Sequence, residues 1–368
     1  MIEQTFFELI QVAIGTRICL SHTPTADEWG EMYAMAKKQS LVGVCFAGVQ
    51  RLATSTGSAT EQRQEPPEML YLTWMGMAAK IQQRNEVVNR QCADLQTKLA
   101  ADGFESCVLK GQGVASLYSE NLRGLRQSGD IDVLMWKDGL SAKENKATVI
   151  AYAKTLDPKA RASEHHIAVN LYDDTEVEMH YAPAYLCNPF DNGKMQQWFW
   201  QYDRSKFPIS VFGFRMPDEE YNLVFMLAHA YRHYLGEGLG MRQLMDYYFV
   251  LSTSNVKTQD LTPMVSTFNM LKFAGAAMWI MKSVFKLEDE RLICPVDEKL
   301  GTALLSHVMQ GGNFGHHNND TFENPNTHFG RFANQVYSNI KLLRYYPSET
   351  IWAPIATIKN FIHLRLNN

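Results

Sequence analysis

The sequence predicts an α+β fold: a small mixed sheet flanked by an N-terminal helical region and a C-terminal helical region. Three observations carry that prediction. Apolar residues recur at helical spacing over the first hundred positions. From Phe104 to Met216 they alternate at strand spacing, interrupted by glycines and turn residues, and from Pro217 helical spacing resumes. The expected boundaries are 1–100 for the N-terminal helices, 101–216 for the sheet-bearing core and 217–368 for the C-terminal helices.

The chain of 368 residues, 46% apolar and 20% charged, is long enough for a sizeable core and has the composition of a globular protein. A net charge of −4 excludes a protein that coats nucleic acid by bulk electrostatics, while leaving room for a small RNA at a local basic patch. The six cysteines show no CxxC spacing and read as buried thiols in a reducing compartment. Met1 to Leu20 carries Glu3, Glu8 and Arg17 and does not read as a signal peptide, and no apolar run reaches the length of a membrane span. The expected compartment is the cytoplasm, with no membrane partner.

Phe6, Phe7, Leu9, Ile10 and Ile14 give a first amphipathic face. Thr25-Ala26-Asp27-Glu28 reads as a capped helix start, with Trp29, Met32, Tyr33 and Ala36 spaced to face a core. Thr54 to Pro67 is polar and ends in two prolines, a surface loop. The long helix after it carries Ile81, Val88, Cys92, Leu95 and Leu99 on one face and stops at Gly103.

Phe104 to Leu109 reads as a short buried strand, Lys110-Gly111-Gln112-Gly113 as a glycine turn, and Val114 to Tyr118 as a short helix. Strand, glycine turn and helix N-terminus together form an anion-binding arrangement, because free backbone N–H groups converge where glycine lets a phosphate approach. A plain tight turn fits the same residues. Arg123, Arg126 and Ser128 follow and are candidates to hold phosphate oxygens.

Asp130-Ile131-Asp132 then leads into Val133-Leu134-Met135-Trp136. In a strand, residues two apart share a face, so the two carboxylates stand about 6–7 Å apart at the backbone. Like charges at that distance call for a cation between them, and Mg²⁺ favours one or two carboxylates plus phosphate oxygens. His165 to Tyr172 and Glu176 to Tyr181 are alternating runs around Asp173-Asp174-Thr175, a hairpin signal. A three-residue loop sets Asn170 opposite Glu178 and Ala168 opposite His180. It also gathers Ile167, Val169, Leu171, Val177 and Met179 on the core face, leaving Glu176, Glu178 and His180 on the other.

Trp198 to Tyr202 reads as aromatic packing, with a lid as the alternative, and Val211 to Met216 as another strand. Pro217 to Glu220 opens a helix that places His229 and His233 one turn apart; Arg242 and Asp246, also four apart, read as an ion pair. Further helices are expected over Met264–Phe285, Asp297–Met309, Phe332–Leu343 and Ile351–Leu366, with a loop of undecided role at Gly311–Phe329.

The order Lys110-Gly111, Asp130-x-Asp132 and Val177-Glu178-Met179 resembles the DNA polymerase beta nucleotidyltransferase superfamily. More closely, with His180, His229, His233, Arg242 and Asp246 in the tail, it resembles the bacterial uncharacterised nucleotidyltransferase family, over roughly Phe104 to Leu251. The resemblance implies a nucleotidyltransferase in which Asp130, Asp132 and Glu178 are catalytic and hold two Mg²⁺ ions, with Mn²⁺ able to substitute. It implies phosphate binding by Lys110, Gly111, Gln112, Arg126 and Ser128, and substrate contacts at His180, His229, His233 and Arg242. Where the wider superfamily has Gly-Ser or Gly-Gly, this chain has Gly111-Gln112, so Lys110 and backbone amides take the place of a serine hydroxyl. The expected partners are an NTP and an unidentified acceptor (small molecule, peptide, protein or RNA). Two other classes compete: a catalytically silent nucleotide-binding or regulatory module, and a metallohydrolase built on the histidines.

Overall fold

A computed structural model describes residues 2–55, 64–236, 238–257, 260–312, 330, 336–337 and 340–366. It is a mixed α+β architecture in which one four-stranded sheet is surrounded by helices. Four helices come first: α1 (Ile2–Ile14), α2 (Ala26–Lys38), α3 (Val42–Ser55) and α4 (Glu68–Ala101). The Thr25 hydroxyl and the Glu28 carboxylate complete a reciprocal capping box at the start of α2, as the sequence predicts. In α4 the stripe Ile81, Val88, Cys92, Leu95 and Leu99 is buried, and Gly103, at φ +76°, follows its end.

The strands are β1 (Glu105–Val108), β2 (Ile131–Trp136), β3 (His166–Val169) and β4 (Val177–His180), in the order β1-β2-β4-β3. β1 runs antiparallel to β2, β4 parallel to β2, and β3 antiparallel to β4. Two short helices, α5 (Lys110–Ala115) and α6 (Glu120–Arg123), lie between β1 and β2, and helix α7 (Ala142–Leu156) makes the crossover between β2 and the later pair. One face of the sheet (Val108, Ile131, Val133, Met135, Ile167, Val169, Val177 and Met179) packs on α4 and α7 in a compact apolar cluster. The other face presents Asp132, Glu178 and His180 at one end. At the other end, Leu134 and Trp136 join a larger cluster that runs from Phe6 to Tyr346.

The β3–β4 hairpin differs from its expected register. Ala168 lies opposite Glu178 and His166 opposite His180, two residues from the expected pairing, and the strands end at Val169 and restart at Val177. The connection is longer because its polar residues are claimed elsewhere. Arg84 and Gln91 of α4 bond Asp174, and Asp157 holds Asn170. A shift of two preserves the side-chain faces, so the expected burial of Ile167, Val169, Val177 and Met179 is seen.

Residues 211–216 form no strand. They make a turn closed by a single Ile209–Arg215 bridge around Gly213 at φ +87°, and the Arg215 carbonyl accepts from the Val108 N–H. Trp198, Trp200 and Tyr202 belong to helix α8 (Pro189–Gln201) and the residue that caps it, and Trp198 packs on Tyr221 at 5.8 Å, as packing predicts.

Helices α9 (Glu219–Leu235) and α10 (Met241–Thr253) lie over the polar end of the sheet. The expected helix over 264–285 is broken at Asn269, φ +57°, into α11 (Thr262–Thr267) and α12 (Leu271–Ser283); α13 (Glu298–Gly311) and a closing helix, Pro347–Leu366, follow. Residues 313–329 of the expected loop and half of the expected helix at 332–343 lie outside the described residues, while Gly311 ends α13.

Candidate active site

Parallel pairing of β2 with β4 makes Asp132 and Glu178 Cα partners, so their side chains stand side by side on one face. Asp132 is almost wholly buried and Glu178 is half-buried. His180, two residues along β4, lies between them: its Nε2 is 2.9 Å from Asp132 Oδ1 and 3.2 Å from Glu178 Oε2. Lys110 Nζ is 3.0 Å from the same Asp132 oxygen.

Burial pulls the His180 imidazole down, but its bonds to Asp132 and Glu178 prevail and push it up to about 9. Burial likewise pushes the Glu178 carboxyl up, yet the His180 bond and the Lys110 charge hold it at about 2. Lys110 is raised despite its own burial, by the charges of Asp132, Asp130 and Glu178. Two cationic side chains thus share one carboxylate oxygen.

The other oxygen, Asp132 Oδ2, is buried with no hydrogen-bond partner among the described residues. An orphaned buried carboxylate oxygen costs roughly 1–3 kcal/mol or more, so such atoms call for an explanation. A divalent cation beside Asp132 would provide one, and the acidic donor set fits a hard ion. Asp130 stands just outside the tight group formed by Asp132, Glu178 and His180, whose ligand atoms lie within 4.8 Å of one another. Half-buried and without a side-chain hydrogen bond or ion pair among the described residues, Asp130 lines a cavity of about 30 Å³ with Lys110, Gly111, Arg126, His229 and Arg242. That is room for a single water.

The Lys-Gly turn is itself the first turn of α5 (Lys110–Ala115), kinked at Gly111, where φ +46° and ψ −114° favour glycine. Gly113 is required by space, since a Cβ there would meet the Val108 carbonyl oxygen at 2.5 Å. So short and bent a helix has little macrodipole, and what the turn offers an anion is Lys110 and backbone amides.

Three further expected phosphate contacts have the following surroundings. The Gln112 side chain turns away from the cavity and donates to Asn89 Oδ1 at 2.6 Å. Arg126 is buried and bidentate on Asp246, at 2.7 Å from both Nε and Nη2. The Ser128 hydroxyl is buried without a hydrogen-bond partner among the described residues. Asp246, expected to pair with Arg242, is thus held by Arg126 and by the Tyr118 hydroxyl, while Arg242 lines the cavity and donates to the Gln127 carbonyl at 2.8 Å.

His229 and His233 face each other on α9 with ring centroids 4.3 Å apart. Burial, reinforced by the nearby Lys110 charge, pushes both imidazoles down, His233 to about 3. His165 and His166, which the sequence reading places at the start of the first hairpin run, pack their rings 5.2 and 5.1 Å from that of His180. His166 Nδ1 lies 3.4 Å from Glu178 Oε2. Asn85 escaped sequence reading altogether. It is a polar residue inside the apolar stripe of α4, and its amide donates to the carbonyls of Gly124 and Arg126. That interruption of the stripe was the available signal.

A search of curated proteins and of solved structures finds no match. The sequence model of the family described as "Uncharacterised nucleotidyltransferase" matches residues 25–286, which contain every residue of this site. A match over that share of the chain, on a fold that registers Asp132 beside Glu178, places the chain in the uncharacterised nucleotidyltransferase family.

Proposed function

We propose that this family member is a Mg²⁺-dependent nucleotidyltransferase of the polymerase beta type, moving an NMP from an NTP to an acceptor hydroxyl or phosphate. The observation that carries the reading is the registered Asp132–Glu178 pair, with Asp132 Oδ2 buried and unbonded beside Lys110. The acceptor oxygen forms a bond to the α-phosphorus, the α–β bridging bond breaks, and pyrophosphate leaves with the electron pair.

Asp130, Asp132 and Glu178 would hold two Mg²⁺ ions, or Mn²⁺ in their place, and these supply charge neutralisation at the reacting oxygens when bound. Lys110, released from Asp132, holds phosphate oxygens together with the Gly111 amides. His180 orients both carboxylates through Nε2. His166, depressed to about 4 by burial and the His180 charge, lies against Glu178 Oε2 at 3.4 Å and helps to orient that carboxylate. The expected rate contribution is positioning and electrostatics.

Asp132→Asn keeps the volume and removes the charge. It should lower Mg²⁺-dependent pyrophosphate release from NTP by at least about 100-fold, with an unchanged circular dichroism spectrum. A fully active, folded variant would overturn the reading. One observation favours a second class: His165, His166 and His180 offer nitrogen ligands within 4.8 Å of one another. Stoichiometric zinc in the purified protein would support that metallohydrolase reading instead.

A further inference from the structure

On the same face of the sheet, beyond His180, lies a second cavity of about 460 Å³ for which the NTP has no evident use. Its floor is Leu134, the Cα partner of His180 on β2. Its near wall is His165, whose ring packs against that of His180. Lys110 and Gly111 line the small cleft on the opposite side of Asp132 and take no part in this lining. The cavity therefore lies further along the strands, beyond the His180–Leu134 pair and away from the phosphate loop.

The lining is aromatic and positively charged. Tyr181, Tyr185, Trp200 and Trp352 form walls, and the closing helix adds Ala356 at the rim. The Arg204 guanidinium lies over the rings of Trp136 and Trp200, at 4.7 and 4.8 Å from their centroids. No carboxylate oxygen lies within 4 Å of it among the described residues. Lys146 sits 4.7 Å over the Tyr181 ring. Glu164 is the one carboxylate on this lining, and its backbone carbonyl accepts from Lys146 at 3.4 Å. Half-buried cations stacked on indoles and phenols suit a flat ligand bearing negative charge.

The size and span limit the ligand further. A cavity of this volume is typical of small-molecule sites and takes neither a folded protein nor an RNA helix. Trp136, under Arg204, lies four residues along β2 from Asp132, about 13 Å at 3.3 Å per residue. A ligand with its anion at Arg204 and its reacting group at Glu178, level with Asp132, must then span roughly the same 13 Å.

We infer that this cavity is the acceptor pocket, and that the acceptor is a small aromatic molecule with an anionic group at one end and a hydroxyl at the other. The ring lies among Trp200, Tyr185 and Trp352, the anion meets Arg204, and the hydroxyl reaches past His165 to the Glu178 edge. This inference rests on the nucleotidyl-transfer reading, and its test separates the two.

The probe is 8-anilinonaphthalene-1-sulfonate, an aromatic anion that fluoresces in apolar surroundings, added to the full chain. One probe should bind per chain. Arg204→Gln should weaken it at least tenfold, and Ala356→Trp, which fills the rim from an exposed helix, should abolish it with an unchanged thermal midpoint. MgATP should bind to the probe complex without displacing the probe. Equal binding by wild type and Arg204→Gln would overturn the site, and so would equal binding by a folded Ala356→Trp. One-for-one displacement by MgATP would make the cavity the nucleotide's and overturn the acceptor assignment. Failure of MgATP, MgGTP, MgCTP and MgUTP alike to bind, measured by equilibrium dialysis, would remove the nucleotidyl reading and the acceptor role with it, while leaving the aromatic-anion site standing.

Discussion

Asp132 is charged, almost wholly enclosed and only half satisfied, and each of its neighbours is tuned by that fact. His180 and Lys110 crowd one oxygen, and both are held in their protonated forms by the acids around them. Glu176 and Glu178 share a strand parity but not an environment. Glu178 is half-buried and tied to His180 and His166, whereas Glu176 is exposed at the mouth, its carboxyl pushed up by partial burial and by Glu178, Asp130 and Asp132. Glu178→Gln is therefore expected to lower pyrophosphate release by about 100-fold or more, and Glu176→Gln to change it little. Steady-state kinetics on the two variants side by side would check this. The reverse ranking would assign the metal to the outer carboxylate and refute the site.

At the scale of elements, the site is held by ties that cross from helix to loop to strand. Asn85 and Gln96 of α4 bond the backbone on either side of the sheet's first two strands, and Arg126 ties the loop before β2 to Asp246 of α10. Both members of the Arg126–Asp246 pair are buried and bidentate, so Arg126→Met removes two charge-assisted bonds from a buried carboxylate and leaves it the Tyr118 hydroxyl. That should cost about 3–5 kcal/mol of stability, read as a lower midpoint in urea unfolding. Were Arg126 a phosphate ligand instead, the variant would raise KM for the NTP and leave the unfolding midpoint in place. The two measurements separate a tie from a contact.

The whole molecule sets its pH range through histidines buried in opposite states. His229, His233 and His307 are pushed down, first by burial, His233 to about 3. An unfolded histidine takes its proton near pH 6.5, so these groups stabilise the fold fully above that pH. Their contribution is lost as pH falls towards the folded values. His180, raised to about 9, works in the other sense: its contribution is complete below about pH 6.5 and is lost as pH rises through 9. The thermal midpoint should accordingly peak near pH 6.5, falling on both sides and more steeply on the acid side. His233→Gln should flatten the acid limb; a slope identical to wild type would show that His233 titrates normally. No helix among the described residues is long and apolar enough to cross a membrane.

Periodicity alone determined the helical flanks, the buried face of the sheet and the parity of every acid in it. These follow from side-chain geometry repeating every 3.6 or 2 residues, which a sequence displays directly. The strand parity of Asp132 and Glu178 likewise put both acids on the polar face, where the structure sets them side by side. Partner choice was decided only in three dimensions. Arg126 joined Asp246 from across the loop, Gln112 turned to Asn89, Arg84 drew Asp174 out of a tight hairpin, and His165 came to lie between the carboxylates and an aromatic cavity. Each is a contest among polar groups distant in sequence, settled by which of them the packing of α4, α9 and α10 brings within about 3 Å, and no local pattern encodes that distance.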